Sequence, residues 1–315
     1  MVKPYKNCFA LRYQAGCKVI REEREPARNL TKVSLRSNYP TDFAESRTIP
    51  LSIFGAGSKG CVLFIHGMGD RNLNHLRWFP ENFSRFGFSG ALLRLPYHFE
   101  RTPAGFRSGQ MFLETDRDGL RNHFEHSVLD AMTCLDYLAS KNFGPLFIMG
   151  YSLGGFIATI TASLYPEIRR VSLVVSGGNF YHITWKSFAT RVLRLRYEED
   201  KTCNAHKCSA YHAGVYREFM ESLQGPQIVL NSAPISCLEY DPLTFARFVE
   251  QPVLLTGALL DIFVPRKSTL ALHQALPDST LKWLPCGHLT SILFKESILK
   301  QTTDFFSRNN FPVME

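Results

Sequence analysis

The chain has 315 residues, of which 45% are hydrophobic and 20% charged, and its formal net charge is +8. This length and composition fit one large globular domain, or two smaller ones, with a sizeable core. No apolar run approaches the roughly 18 residues that a spanning helix needs, so no transmembrane segment is expected.

The basic residues are dispersed along the chain and form no run with interleaved aromatic residues. This distribution argues against a nucleic-acid partner. It is typical of a solvated basic surface that favours anionic substrates or membrane surfaces. The eight cysteines show no disulfide-framework spacing, which favours the reducing cytoplasm as the location.

Strand-like and helix-like patterns alternate from about residue 50 onward. Residues 1–29 precede them, and we expect an N-terminal arm or helix there. The stretches "TIPLSIFGAG" and "KGCVLFIHG" predict a hairpin, because two apolar runs flank a glycine-rich turn. Later strands are predicted in the stretches "SGALLRLPYH", "GPLFIMGYS", "RRVSLVVSGG", "QPVLLTGALLD" and "STLKWLPCGH".

The segments between these strands carry apolar residues at helical spacing, as in residues 124–138 and 292–306. Such alternation predicts an α/β fold, with a mostly parallel central sheet and helices on both faces. Residues 30–179 and 248–315 would form this core. Residues 180–247 break the alternation, since they are aromatic, charged and weakly periodic.

The stretch "GYSLGG" at 150–155 raises the question of whether Ser152 is a nucleophile. It follows a predicted strand and opens a predicted helix, which is the setting of a nucleophile elbow. A serine hydroxyl also needs a base, and that base needs an orienting acid. His288 and Asp261 each follow a predicted strand, at the sheet edge where open α/β sheets hold their ligands. Glu239 and Asp241 are rivals for the acid.

Backbone donors for an oxyanion are expected on both sides of this serine. The stretch "HGMG" at 66–69 ends a strand, and its Met68 N–H and the Leu153 N–H would form an oxyanion hole.

The stretches "HGMG", "GYSLGG", "LLDIFVP" at 259–265 and "CGH" at 286–288 together resemble the α/β-hydrolase superfamily over residues 30–308. The resemblance implies Ser152 as nucleophile, His288 as general base and Asp261 as orienting acid. It also places residues 180–247 where such enzymes often insert a cap over the site.

Two further groups of polar residues were weighed, one as a metal site and one as a substrate-binding site. Cys203, His206, Cys208 and His212 do not match the spacing of a common zinc site, so no metal is predicted. His98, Arg101 and Arg107 follow a strand beside the expected site and are candidates for substrate binding, with at least one of the two arginines favouring an anionic substrate. The alternative is surface pairing of the arginines with Glu100, Glu114 or Asp116.

The sequence therefore predicts a cytoplasmic serine hydrolase that cleaves a small-molecule carboxylic ester through an acyl-enzyme, with no cofactor. A thioester, amide or peptide substrate for the same triad stays open, as does a non-catalytic binding protein of the same fold.

Overall fold

The structure is a computed structural model that describes residues 15–69, 74–113, 115, 117–188, 190–199, 201, 203–227 and 233–308. Its strands are β1 (Val19–Glu25), β2 (Leu30–Arg36), β3 (Thr48–Phe54), β4 (Cys61–Ile65), β5 (Ser89–Leu93), β6 (Leu146–Tyr151), β7 (Ile168–Val174), β8 (Val253–Ala258) and β9 (Ser279–Leu284).

Its helices are α1 (Asn74–Asn82), α2 (Gln110–Leu113), α3 (Arg117–Ser140), α4 (Leu153–Leu164), α5 (Phe180–Lys186), α6 (Arg191–Glu199), α7 (Ala205–Ala213), α8 (Val215–Ser222), α9 (Pro242–Ala246), α10 (Arg266–Ala275) and α11 (Lys295–Phe306). Among the described residues, no helix is long and apolar enough to cross a membrane.

The strands form one sheet in the order β1-β2-β3-β5-β4-β6-β7-β8-β9. The first three strands and β5 pair antiparallel, whereas β5, β4 and the four later strands are parallel. This confirms the predicted mostly parallel sheet. The predicted hairpin is wrong, because β5 lies between β3 and β4; a strand buried on both faces carries no signal of its neighbour's identity.

The N-terminal prediction of an arm or helix also needs correction. Residues 19–25 form β1, which pairs with β2 along one edge of the sheet, and residues 1–14 lie outside the described part. The sequence of β1, "VIREERE", is mostly charged and exposed. Charged side chains are common on edge strands, where they discourage pairing with other chains, but they hide the apolar alternation of a strand.

Two apolar cores lie on opposite faces of the sheet. In β4 the side chains alternate between them, with Leu63 and Ile65 on one face and Val62 and Phe64 on the other. Helices α3, α4 and α10 contribute to the first core, and α1 and α11 to the second. This layering leaves the carboxyl ends of the parallel strands free of core helices, so the loops that follow them build a site.

Candidate active site

Ser152 lies in a strained turn between β6 and α4. Its backbone has φ 53° and ψ −117°, in a region that side-chain-bearing residues rarely occupy. The conformation is held from both sides, because the Ser152 N–H donates to the Val174 carbonyl at 2.8 Å and the Gly155 N–H donates to the Ser152 carbonyl at 2.9 Å. Strain of this kind costs roughly 1–3 kcal/mol and persists only where the surrounding structure enforces it.

The glycines of "GYSLGG" are required by close packing of backbone. A Cβ on Gly150 would lie 2.3 Å from the Gly154 carbonyl oxygen, and one on Gly154 would lie 2.0 Å from the Ile65 carbonyl oxygen. A Cβ on Gly155 would collide with the Ser176 side chain at 2.4 Å. The three glycines therefore allow the sharp turn that presents Ser152.

A chain of hydrogen bonds joins Ser152, His288 and Asp261. His288 Nε2 lies 2.8 Å from Ser152 Oγ, and His288 Nδ1 lies 2.8 Å from Asp261 Oδ2. Because a carboxylate only accepts, Nδ1–H donates to Asp261, which leaves the Nε2 lone pair to accept from the serine hydroxyl. The structure thus brings the three predicted residues together in the order of a nucleophile, a base and an acid.

Asp261 is oriented by its own loop. Its Oδ1 accepts the N–H groups of Phe263 and Val264, each at 2.8 Å, while Oδ2 faces His288. The Phe263 ring also packs against the His288 ring, with centroids 5.2 Å apart. The sequence reasoning did not identify Phe263 as a site residue. Its position two residues after Asp261, in the same loop, was the one indication that it lies beside the histidine.

The rival carboxylates have other partners. Asp241 is fully buried, caps α9 by accepting the Leu243 N–H at 2.9 Å, and also accepts the N–H groups of Asn179 and Phe180. Burial raises the pKa of Asp241 to about 6, against the opposing effect of these three hydrogen bonds. Glu239 is buried in an ion pair with Arg121 at 3.3 Å. The carboxylate that accepts the His288 Nδ1–H is Asp261, at 2.8 Å.

The predicted oxyanion donors flank the serine. Leu153 is the first residue of α4, and the N–H groups of a first helical turn have no acceptor within the helix. Met68 follows β4, and both residues line the cavity described below. The adjoining Gly67 lies so close that a Cβ there would stand 3.1 Å from Ser152 Cβ.

His66 holds this loop in place, a role that the sequence analysis did not assign. Its Nδ1–H donates to the Gly67 carbonyl at 2.6 Å, and its Nε2 accepts the Leu95 N–H at 3.0 Å. This arrangement uses both nitrogens of a neutral imidazole. Complete burial lowers the pKa of His66 well below its usual value, so the ring stays neutral.

His98 contacts the oxyanion loop from behind and is not among the residues that line the cavity. It is fully buried, its Nδ1–H donates to the Pro96 carbonyl at 2.8 Å, and its Nε2 lies 3.4 Å from Met68 Sδ. Burial lowers the pKa of His98 to about 4. The side chain thus supports Met68 and is not placed to touch a substrate.

Arg101 requires a correction, because it is fully buried away from the cavity. Its guanidinium pairs with Asp130 of α3 at 2.7 Å and donates to the carbonyls of Arg94 and Ser46, each at 2.8 Å. Ser37 donates to the same aspartate at 2.6 Å. These contacts give Arg101 a structural role in place of the expected binding role.

Arg107 is exposed on the surface and also lies outside the cavity lining. Of the surface partners expected for the two arginines, Glu100 pairs with Arg94 at 2.8 Å. Glu114 and Asp116 lie outside the described residues.

A cavity of about 770 Å³ opens beside Ser152. An aromatic wall extends from the serine: Phe156, one turn along α4, packs on Phe180, which packs on Tyr240, with ring centroids 6.1 and 5.3 Å apart. The segment between 180 and 240 supplies further lining residues: Ile183, Trp185, Leu193, Tyr197, Cys203, Cys208, Tyr211, Ile235 and Cys237. The lining of the cavity is thus mostly apolar.

The cysteines and histidines at and just before α7 are part of this region. Cys203 and Cys208 line the cavity, and the half-buried His212 ring packs between Tyr181 and Tyr216. Within the described part of the chain, no three His, Cys, Asp or Glu side chains are grouped so that they could hold a metal ion.

Comparisons with known proteins agree with this architecture. The model of a family described as alpha/beta hydrolase domain containing 18 matches residues 235–308. No curated protein sequence matches the chain. The chain is similar in structure to an acetyl xylan esterase from Paenibacillus sp. R4, with a TM-score of 0.57 and 16% identity over 92% of this chain and 88% of that one.

It is also similar to a cold-adapted esterase from an Arctic intertidal metagenomic library, with a TM-score of 0.54 and 14% identity over 91% of this chain and 96% of that one. A serine hydrolase from the polyaromatic-hydrocarbon-degrading bacterium Cycloclasticus zankles gives a TM-score of 0.55 and 15% identity over 88% and 98% of the two chains. These similarities show that the chain has the α/β-hydrolase fold, and the matched family model covers its residues 235–308.

Proposed function

We propose that this protein hydrolyses a carboxylic ester through a covalent acyl-enzyme on Ser152. One observation carries the proposal: the hydrogen-bonded chain from Asp261 through His288 to a serine in a strained turn, at the wall of an apolar cavity. A base within 2.8 Å of a serine hydroxyl, itself oriented by a carboxylate, is the arrangement that activates serine as a nucleophile.

In the first half-reaction, Ser152 Oγ attacks the ester carbonyl carbon while its proton moves to His288 Nε2. Negative charge develops on the carbonyl oxygen and is stabilised by the N–H groups of Met68 and Leu153. The bond to the leaving alcohol then breaks, and His288 returns the proton to the alcohol oxygen. Asp261 stabilises the imidazolium that exists between these transfers.

In the second half-reaction, water takes the place of the alcohol. His288 Nε2 removes a proton from the water as its oxygen attacks the acyl carbon, and the same oxyanion donors act again. The bond from the acyl carbon to Ser152 Oγ breaks, and the proton passes to Oγ. No step calls for a metal ion or an organic cofactor.

The cavity favours an apolar acyl group as the part of the substrate held beside the serine. Its volume of about 770 Å³ lies within the range of small-molecule sites, roughly 300–1,000 Å³. We propose that residues 180–247 act as the cap that sets acyl preference, since helices α5, α6 and α7 supply aromatic and aliphatic side chains to the lining of the cavity.

A series of p-nitrophenyl esters of increasing acyl length tests this proposal. Wild type should hydrolyse them, and Ser152→Ala should lose roughly 10⁴-fold or more in kcat. Ser172→Ala is a matched control, because Ser172 is a buried serine whose hydroxyl contacts Thr302 in the core, at 3.0 Å. Hydrolysis by Ser152→Ala within tenfold of wild type would reject the mechanism, and preference for a thioester or anilide would change the substrate class.

A further inference from the structure

Five large apolar side chains are exposed on segments that adjoin the cavity-lining residues Phe263, Leu289 and Ile292. We call them the apolar rim: Phe188 at 66% exposure, Leu260 at 71%, Ile262 at 60%, Leu289 at 70% and Leu293 at 78%. Single exposed apolar residues are ordinary on a protein surface, but a contiguous exposed group marks an interaction surface.

Backbone hydrogen bonds and a ring contact join the segments that carry the rim residues. The Phe188 N–H donates to the Ile262 carbonyl at 2.9 Å, and the Phe188 ring lies 6.2 Å from the Phe263 ring. The Leu260 N–H donates to the Cys286 carbonyl at 2.9 Å, two residues before His288.

The rim is also continuous with the site. Leu289 follows His288 directly and lines the cavity, as do Phe263 and Ile292. Leu293 lies four residues beyond Leu289 and directly after Ile292, in the short 3-10 helix Leu289–Phe294. Anything that covers the rim therefore lies over the mouth of the cavity.

Basic side chains adjoin the rim on the side of α5 and α10. Lys186 precedes Phe188 by two residues, and Arg266 and Lys267 follow Ile262 by four and five; all three are exposed. Lys186 and Lys267 converge on His182, where burial, Lys267 and Lys186 together lower the pKa of the imidazole. The rim is thus an apolar surface with a positively charged border, on a chain of net charge +8.

This combination selects among possible occupants. A symmetric dimer through the rim would bring two copies of the same basic border toward each other, because an isologous interface uses one patch twice. An anionic lipid surface complements both the apolar rim and its basic border. The apolar side chains enter the boundary between headgroups and acyl chains, while lysine and arginine attract the anionic headgroups.

We propose that the apolar rim docks this protein on an anionic lipid surface, with the mouth of the cavity facing the lipid. Docking then delivers apolar esters to the cavity without passage through water. Lipid docking is a property separate from the proposed hydrolysis. Vesicle binding is therefore measured in the Ser152→Ala variant, in which no substrate is turned over.

The first test is flotation of Ser152→Ala with vesicles of phosphatidylcholine and phosphatidylglycerol in a 70:30 ratio. The added change Leu260→Gln with Leu293→Gln should weaken partition at least tenfold, because each exposed leucine loses its apolar insertion. The matched control is Val19→Gln with Ile20→Gln, which removes two exposed apolar side chains from β1 at the far edge of the sheet and should leave partition unchanged.

The second test addresses charge. Vesicles of pure phosphatidylcholine should bind more weakly, and Lys186→Gln with Lys267→Gln should lower partition to the mixed vesicles by roughly fivefold per lysine. Arg36→Gln, at an exposed position of β2, is the control for loss of a basic side chain away from the rim and should have little effect.

Failure of Ser152→Ala to float with the mixed vesicles, or equal flotation of the Leu260→Gln and Leu293→Gln protein, would overturn the proposal. So would light scattering that shows a dimer broken by those two changes, because the rim would then bind a second copy. None of these outcomes bears on ester hydrolysis in solution, which the p-nitrophenyl esters measure separately.

Discussion

Replacement of Asp261 by Asn tests how the hydrogen-bond chain functions. In the native loop, Asp261 Oδ1 accepts two backbone N–H groups at 2.8 Å and Oδ2 accepts the His288 Nδ1–H at 2.8 Å. An asparagine has one oxygen for these three donors. Facing the oxygen toward the two backbone N–H groups satisfies more bonds, so the NH₂ group turns toward His288.

That orientation reverses the tautomer of the imidazole. The His288 Nδ1 must then accept from the asparagine, and the proton moves to Nε2, which faces Ser152 Oγ. A protonated Nε2 cannot take the serine proton. We expect kcat to fall by roughly 10³- to 10⁴-fold, equivalent to about 4–5 kcal/mol of transition-state stabilisation. KM should change little, because Asp261 does not line the cavity.

The assay is steady-state hydrolysis of the best p-nitrophenyl ester, with thermal unfolding as the check on folding. Asp241→Asn is the matched control, since it removes another buried carboxylate, one that accepts three backbone N–H groups and, among the described residues, no histidine N–H. It should lower stability and leave kcat within a few-fold. A large rate loss in Asp241→Asn together with near-normal kcat in Asp261→Asn would refute the assignment of the acid.

Three further changes test the supporting structure. Arg101→Met should lower the free energy of unfolding by about 3–5 kcal/mol, because it leaves the Asp130 charge buried and unpaired. Denaturant unfolding measures this change. A loss of kcat/KM on anionic esters alone, in a protein of unchanged stability, would instead support the binding role. Gly67→Ala places a Cβ 3.1 Å from Ser152 Cβ and should cut kcat roughly tenfold or more with little change in Tm, so an unchanged kcat would contradict the crowding argument. The pKa of His98 is about 4 in the fold and about 6.5 unfolded, so the unfolded chain gains the proton first as pH falls and stability is lost below pH 6.5. His98→Gln should remove about 2 kcal/mol of the stability difference between pH 7 and pH 5, and parallel stability-versus-pH curves for the two proteins would show that His98 does not titrate this way.

The sequence identifies the catalytic candidates because each is attached to a strong local pattern. Ser152 sits between a buried apolar strand and a helix, and Asp261 and His288 follow strands whose carboxyl ends must meet at one sheet edge. Local pattern and sheet geometry therefore both predict, from the sequence, that these three side chains lie at the same edge of the sheet.

Other features depend on contacts that local pattern does not encode. Arg101 has the sequence setting of a binding residue, yet its partner Asp130 lies 29 residues away on α3, in a network that forms only when the chain folds. The order β3-β5-β4 is likewise invisible, because all three strands are apolar and buried. The exposed rim residues are likewise not predictable from local pattern. Leucine, isoleucine and phenylalanine are typical of a buried core, and only the structure places these residues at the surface.

The most direct test of the central claim is covalent labelling of the folded protein with a fluorophosphonate, followed by intact mass and peptide mapping. This reagent phosphonylates a serine that an adjacent base has activated. We predict one adduct per chain, located on Ser152, and its loss in Ser152→Ala and in His288→Gln. No adduct on folded wild type, or an adduct on another serine that survives in Ser152→Ala, would contradict the claim that Ser152 is the nucleophile.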